Sequence, residues 1–180
     1  MTGIFKINNN EVFGSDGTFS GTISSGATFP TGHVVQTVPQ RYNETTEQTS
    51  YTTIATHIET EINITAGNKV FFNYTIPTRL RASGLAYGQL FLYVYHKTTS
   101  GGTYAMLNNK IQASYYYDQV GNLPTDFYRY KNVPITGVHT PSSGTQQFYR
   151  IYVRLIQGDD VNVGIATSLD TYATLMEIQS

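Results

Sequence analysis

The chain has 180 residues, of which 13% are charged, with a net charge of −1 and no cysteine. That length accommodates one domain plus an arm. The missing cysteines exclude disulfides, thiolate catalysis and Cys-ligated zinc, and the charge balance advertises neither a nucleic-acid nor an anionic-membrane partner. Fifteen Tyr lift the aromatic share to 13%, a composition suited to wide contact surfaces with wet edges.

Residues 1–32 come first and differ from the rest. GIFKINNNEVFGSDGTFSGTISSGATFP is rich in Gly, Ser, Thr and Asn with isolated apolar residues. Such a segment cannot build its own core, so it is expected to be an extended arm held by a host surface or partner strands. Phe5, Ile7, Val12, Phe13 and Phe19 are its candidate attachment residues, and Ser15–Gly17 reads as a hairpin turn. MTGIFKINNN lacks the apolar core of a secretory signal, so synthesis and folding in a cytoplasm are expected.

From residue 33 onward period-two alternation dominates. In IATHIETEINIT, Ile54, Thr56, Ile58, Thr60, Ile62 and Ile64 share one face, with His57, Glu59, Glu61 and Asn63 on the other. This is the pattern of a half-buried strand. KVFFNYTIP alternates again, and Pro77 is expected to close it because proline cannot donate to a ladder. QLFLYVYHK is apolar on both faces, so both sides should be covered, by a second sheet or by a neighbour. LFLYVY within it is far too short to cross a bilayer.

A short strand around Tyr104–Leu107, then IQASYYY, the two-sided QQFYRIYVRLI, a turn at Gly158–Asp160 and VNVGIAT follow. The chain ends TYATLMEIQS. An alternating segment so close to the last residue should lie buried in a sheet or at a contact with another subunit. In total roughly eight strands fill 33–180, the spacing of an all-β sandwich or barrel, and an antiparallel jelly-roll-like β-sandwich is the expectation.

The candidate chemistry is sparse. His33, His57, His96 and His139 form no ligand pair of the HxH or HxxxH kind, so no metal or cofactor is expected. Glu59 and Glu61 share a strand face about 7 Å apart, a separation at which carboxylates can serve glycoside hydrolysis, yet they come from one element rather than from two sides of a cleft. Asp159 and Asp160 could ligate calcium but stand in a Gly-Asp-Asp turn. No nucleophile elbow, P-loop or dinucleotide fingerprint occurs, so a non-enzymatic protein is expected. The sequons at Asn43, Asn63 and Asn73 are read as unused.

Two tyrosine clusters remain. SYYYD places Tyr115 and Tyr117 on one face, and DFYRYKN interleaves Tyr128 and Tyr130 with Arg129 and Lys131. Such residues could stack on sugar rings or form subunit contacts, and the sequence leaves both open.

Short segments at both ends carry a resemblance. ATFPTGHVVQTV (27–38), TTIATHIETEINIT, GNKVFFNYTI and the closing ATLMEIQS (173–180) resemble, in order and spacing, structural proteins of tailed-phage virions. These are best known from marine and cyanobacterial phages and are variously labelled tail fibre, head fibre or capsid decoration. The resemblance covers about 27–76 and 146–180, while QASYYYDQVGNLPTDFYRYKN is particular to this chain. It implies a jelly-roll head (33–180) that trimerises in the manner of tumour-necrosis-factor-like domains, carried on the arm. The implied role is a capsid decoration (cement) protein or short fibre. Its implied partners are copies of itself, the major capsid protein and, for a receptor-binding tip, host surface glycan. The family carries no catalytic residues to transfer.

Overall fold

The computed structural model describes residues 5–7, 10–13, 31–82, 87–107, 112–118, 127–164 and 170–180. The chain divides into two compact units, Met1–Pro30 and Thr31–Ser180. In the first, β1 (Phe5–Ile7) pairs antiparallel with β2 (Asn10–Phe13), Phe5 opposite Phe13. Phe5, Ile7, Val12 and Phe13 therefore lie on one hairpin. Phe19 and the Ser15–Gly17 turn fall outside the described residues.

The second unit is an all-β, jelly-roll-like sandwich of two antiparallel sheets. One contains β3 (Val34–Tyr42), β4 (Thr46–Gln48), β6 (Lys69–Ala82), β10 (Phe127–His139), β12 (Asp160–Val163) and β13 (Thr171–Ile178). The other contains β5 (Thr53–Asn63), β7 (Tyr87–Lys97), β8 (Ala105–Met106), β9 (Gln112–Asp118) and β11 (Gln146–Gln157). From β4 to β7, and again from β9 to β12, each successive strand crosses to the opposite sheet.

The long strand β6 organises its sheet. β10 pairs with it from Val70 to Ala82. Along its other edge β13 pairs with Lys69–Thr75 and β12 with Thr78–Arg81. Contrary to expectation, Pro77 does not end the strand. Its carbonyl accepts from the Gly164 amide at 2.9 Å. Because N and O of one strand residue point the same way, its missing N–H faces the break between β13 and β12, where no ladder bond is lost. β10 was also not foreseen, since Pro134 and Gly137 interrupt its pattern. It lies at a sheet edge, where proline is tolerated, and Gly137 leaves room for the Phe72 ring, which a Cβ would approach to 2.5 Å.

The alternation read from IATHIETEINIT holds: Thr56, Ile58, Thr60, Ile62 and Ile64 are buried. They meet Phe72, Tyr74 and Ile76 of β6, Leu90, Leu92 and Val94 of β7, and Tyr149, Ile151 and Val153 of β11 in one core. Each fully buried side chain of this kind is worth about 1.5–3 kcal/mol of transfer free energy. The Tyr74 hydroxyl, drawn inward, is matched by Thr60, with Tyr74 Oη 2.6 Å from Thr60 Oγ1. At the sheet edges Tyr42 donates to the Glu59 carbonyl and Gln36 to that of Asn63, stitching β3 to β5.

The terminal strand lies inside its sheet, between β3 and β6. Thr171, Ala173, Leu175 and Glu177 are buried while Tyr172 is exposed. Glu177 is 2% exposed and accepts from the Thr65 amide, Asn68 Nδ2 and Gln36 Nε2, each at 2.7 Å. Burial opposes its charge, but these donors outweigh burial and hold its pKa below the ordinary 4.5. A depressed carboxylate contributes stability that is present above the unfolded pKa and lost as pH falls through the folded one. Glu177→Gln turns an amide donor toward donors. We expect it to cost roughly 1–3 kcal/mol at pH 7 and to flatten the acid limb of urea-unfolding stability below pH 4.5. An unchanged acid limb would contradict this assignment.

Candidate functional site

The two-sided strands β7 and β11 resolve into one core face and one outer face. Leu90, Leu92 and Val94 point inward, so Phe91, Tyr93, Tyr95 and Lys97 point out. In β11, Tyr149, Ile151 and Val153 point inward and Phe148, Arg150, Tyr152 and Arg154 outward. The registers Tyr93↔Tyr152 and Tyr95↔Arg150 assemble an aromatic row on the outside of this sheet. No strand of the 31–180 unit packs over it among the described residues.

The row is ordered by ring contacts. Tyr95 and Tyr152 stack with centroids 3.9 Å apart, Tyr104 meets Tyr152 edge-on at 6.2 Å, and Phe91 meets Tyr93 at 6.1 Å. Lys97 lies over Tyr104 and Phe148 at 4.4 and 5.0 Å. Glu59 sits at the margin, 3.5 Å from Lys97 and 3.4 Å from Arg150. Burial pushes the Tyr104 phenol up, and Glu59 adds to the shift. The Glu59 carboxylate thus holds two cations rather than facing a second carboxylate across a cleft. Amphipathic rings with charges at the rim are the chemistry of a contact surface.

A second outer patch lies at the far end of β6. Tyr128 and Tyr130 stand opposite Arg81 and Arg79, are 40% and 60% exposed, and Arg79 lies 5.0 Å over the Tyr128 ring. Beneath them the buried Asp160 lies 2.7 Å from Arg81 and 3.6 Å from Arg79, and Arg79 donates to Asn162 at 2.9 Å. Asp160 is therefore an ion-pair anchor of β12 against β6. Tyr115 and Tyr117 stand opposite Leu90 and Gly88 in the register of β9; their side chains lie outside the described ones. The structure thus places Tyr128 and Tyr130 together and sets Tyr115 and Tyr117 on the other sheet.

Sequence reasoning did not single out Tyr93, Tyr95, Tyr104, Tyr152 or Arg150. The signal was present in the two-sided apolarity of QLFLYVY and RIYVRLI, which required a cover on both sides. His57, His96 and His139 are each half-buried. Among the described residues no group of three or more His, Asp or Glu could hold a metal ion, and no helix is long and apolar enough to cross a membrane.

No family model and no curated protein matches this chain. Among solved structures it is similar to the Eiger TNF of S. frugiperda, at 11% identity and a TM-score of 0.38, over 65% of this chain and 64% of that one. A likeness of that size bears on neither function nor assembly.

The stacked pair gives a direct check on the aromatic row. In a double-mutant cycle of Tyr95→Ala and Tyr152→Ala, we expect a coupling of about 0.5–1.5 kcal/mol from chemical denaturation. Additive single effects would contradict the stack.

Proposed function

We propose that this chain is a non-enzymatic structural protein of a tailed-phage virion, a homotrimer that decorates or cements the capsid or forms a short fibre. Residues 1–32 attach it to the particle through Phe5, Ile7, Val12, Phe13 and Phe19, with the major capsid protein as the partner gripped. The resemblance of 27–38 and 173–180 to such proteins supports the class. The observation that carries an assembling rather than a catalytic role is the aromatic row of Tyr93, Tyr95 and Tyr152, left half-exposed on the outside of a sheet. Copies packing through this face would hide surface that a lone sandwich leaves to water. Many weak attachments around a symmetric shell would then add through multivalency.

The test is the molar mass of the full-length chain by light scattering, with three times the 20.0 kDa chain mass expected. Tyr152→Arg should return a folded monomer with an unchanged β circular-dichroism spectrum. A monomeric parent protein at micromolar concentration sinks the preassembled trimer.

A second reading, a receptor-binding tip that grips host surface glycan, is supported by the exposure of Tyr128 and Tyr130 beside Arg79. It predicts glycan-array binding that falls at least about fivefold in Tyr130→Ala, since a lost stacking or hydrogen-bonding anchor costs about 1–3 kcal/mol. An array without signal removes it.

A further inference from the structure

At one margin the core ends on two imidazoles. His96 continues the inward series Leu90, Leu92, Val94 of β7, and His139 continues Val133, Ile135, Gly137 of β10. These strands belong to different sheets. The ring centroids are 4.4 Å apart with planes at 70°, so the pair spans the sandwich.

Neither ring is hydrogen-bonded to a carboxylate among the described residues. His96 Nε2 is 2.7 Å from Gln147 Oε1, and His139 Nδ1 is 3.0 Å from Tyr149 Oη. The Gln147 amide donates to the carbonyls of Gly144 at 2.9 Å and Ser143 at 3.3 Å. Its oxygen is therefore the end turned to His96, and His96 Nε2 carries the proton. The Tyr149 ring also lies 5.1 Å from His96.

Glu177 of β13 lies two strands from His139, across Val70, and is engaged by Gln36, Thr65 and Asn68; the other packed elements bring no charged side chain to the pair among the described residues. β11 faces the pair with Gln147 and Tyr149, while its Arg150 points to the other side of the sheet toward Glu59. β6 contributes Val70, opposite His139, and Phe72; its Lys69 alternates to the outer side. On β7 the next residue, Lys97, also faces outward to Glu59. On β10 the neighbour is the exposed Val138. The connection 140–145, Thr-Pro-Ser-Ser-Gly-Thr, carries no ionisable side chain.

We propose that His96 and His139 form an acid-operated latch: as neutral rings they hold β7, β10 and the 140–145 connection together, and a proton on either ring loosens that end. A protonated His139 would donate from both nitrogens and could no longer accept at Nδ1 from the fully buried Tyr149 hydroxyl, whose proton would need another acceptor. A second proton would set two like charges side by side. Burial first, and His96 second, push His139 from 6.5 down to about 4, and burial lowers His96 against the opposing Gln147 bond. For a histidine depressed in the folded state, stability is complete above about 6.5 and drains away as pH falls toward about 4.

Hydrogen exchange of the full-length chain, corrected for intrinsic rates, tests the latch. Protection of residues 140–147 should fall by up to about tenfold per pH unit for each proton taken up as pH drops from 6.5 to 4.5, while 72–76 and 172–175 stay protected. The double variant His96→Gln, His139→Asn should remove that dependence. Uniform loss across the unit, or loss confined to 46–57 around His57, whose pKa burial also lowers, overturns the proposal. Should the variant not fold, the His139 imidazole resonance of the unaltered protein decides alone. Titration below about 5 supports the latch, and titration near 6.5 ends it.

Discussion

The sandwich depends on β6 being shared by three partners. One 14-residue strand gives its whole length to β10 on one edge and divides the other between β13 and β12. A strand so enclosed must satisfy its backbone on both sides and bury every second side chain, and Val70, Phe72, Tyr74, Ile76 and Leu80 are all fully buried. The break between β13 and β12 is what lets Pro77 occupy its centre. Gly164, whose amide closes that break, has φ +71 and no room for a side chain beside the Glu44 carbonyl and the His57 ring. Remove β6, and the terminal strand keeps only β3 as a partner while the Asp160 anchor loses both its arginines.

The opposite sheet solves a different problem. Its inner face must match β6 across the core, which β7 and β11 do with Leu90, Leu92, Val94, Ile151 and Val153. Its outer face, however, is built from Phe91, Tyr93, Tyr95 and Tyr152 rather than from the charged residues that usually coat an exposed sheet. Tyrosine tolerates this position because the ring buries area against its neighbours while the phenol stays wet. The stack of Tyr95 on Tyr152, with Lys97, Arg150 and Glu59 at the margin, orders that face.

Glu177 and the pair His96 and His139 face inward at a margin of the core, and they behave differently toward acid. Glu177 keeps its charge because three donors converge on it. His96 and His139 lack converging partners of that kind, and burial lowers the pKa of both. Both devices make the same margin dependent on pH near or below neutrality, since Glu177 lies opposite Val70 on β13 and Val70 lies opposite His139 on β10.

Much of this was legible in the sequence. Alternation alone identified the strand of Ile58 and Ile62, the inward set of β6 up to Ile76, the two-sidedness of β7 and β11 and the all-β class, because a strand's side-chain period is a local property of the backbone. β10 and the passage of β6 through Pro77 were hidden, because proline and glycine read as breaks until an edge position or an aromatic neighbour explains them. The two-sided strands signalled an outer apolar face, but which rings meet in the aromatic row, and the histidine pair, could not be read. Tyr95 and Tyr152 lie 57 positions apart and His96 and His139 lie 43 apart by their residue numbers. Residue order states which face each side chain takes along its own strand, but only the pairing of distant strands, set by backbone hydrogen bonds and core packing, decides which faces meet.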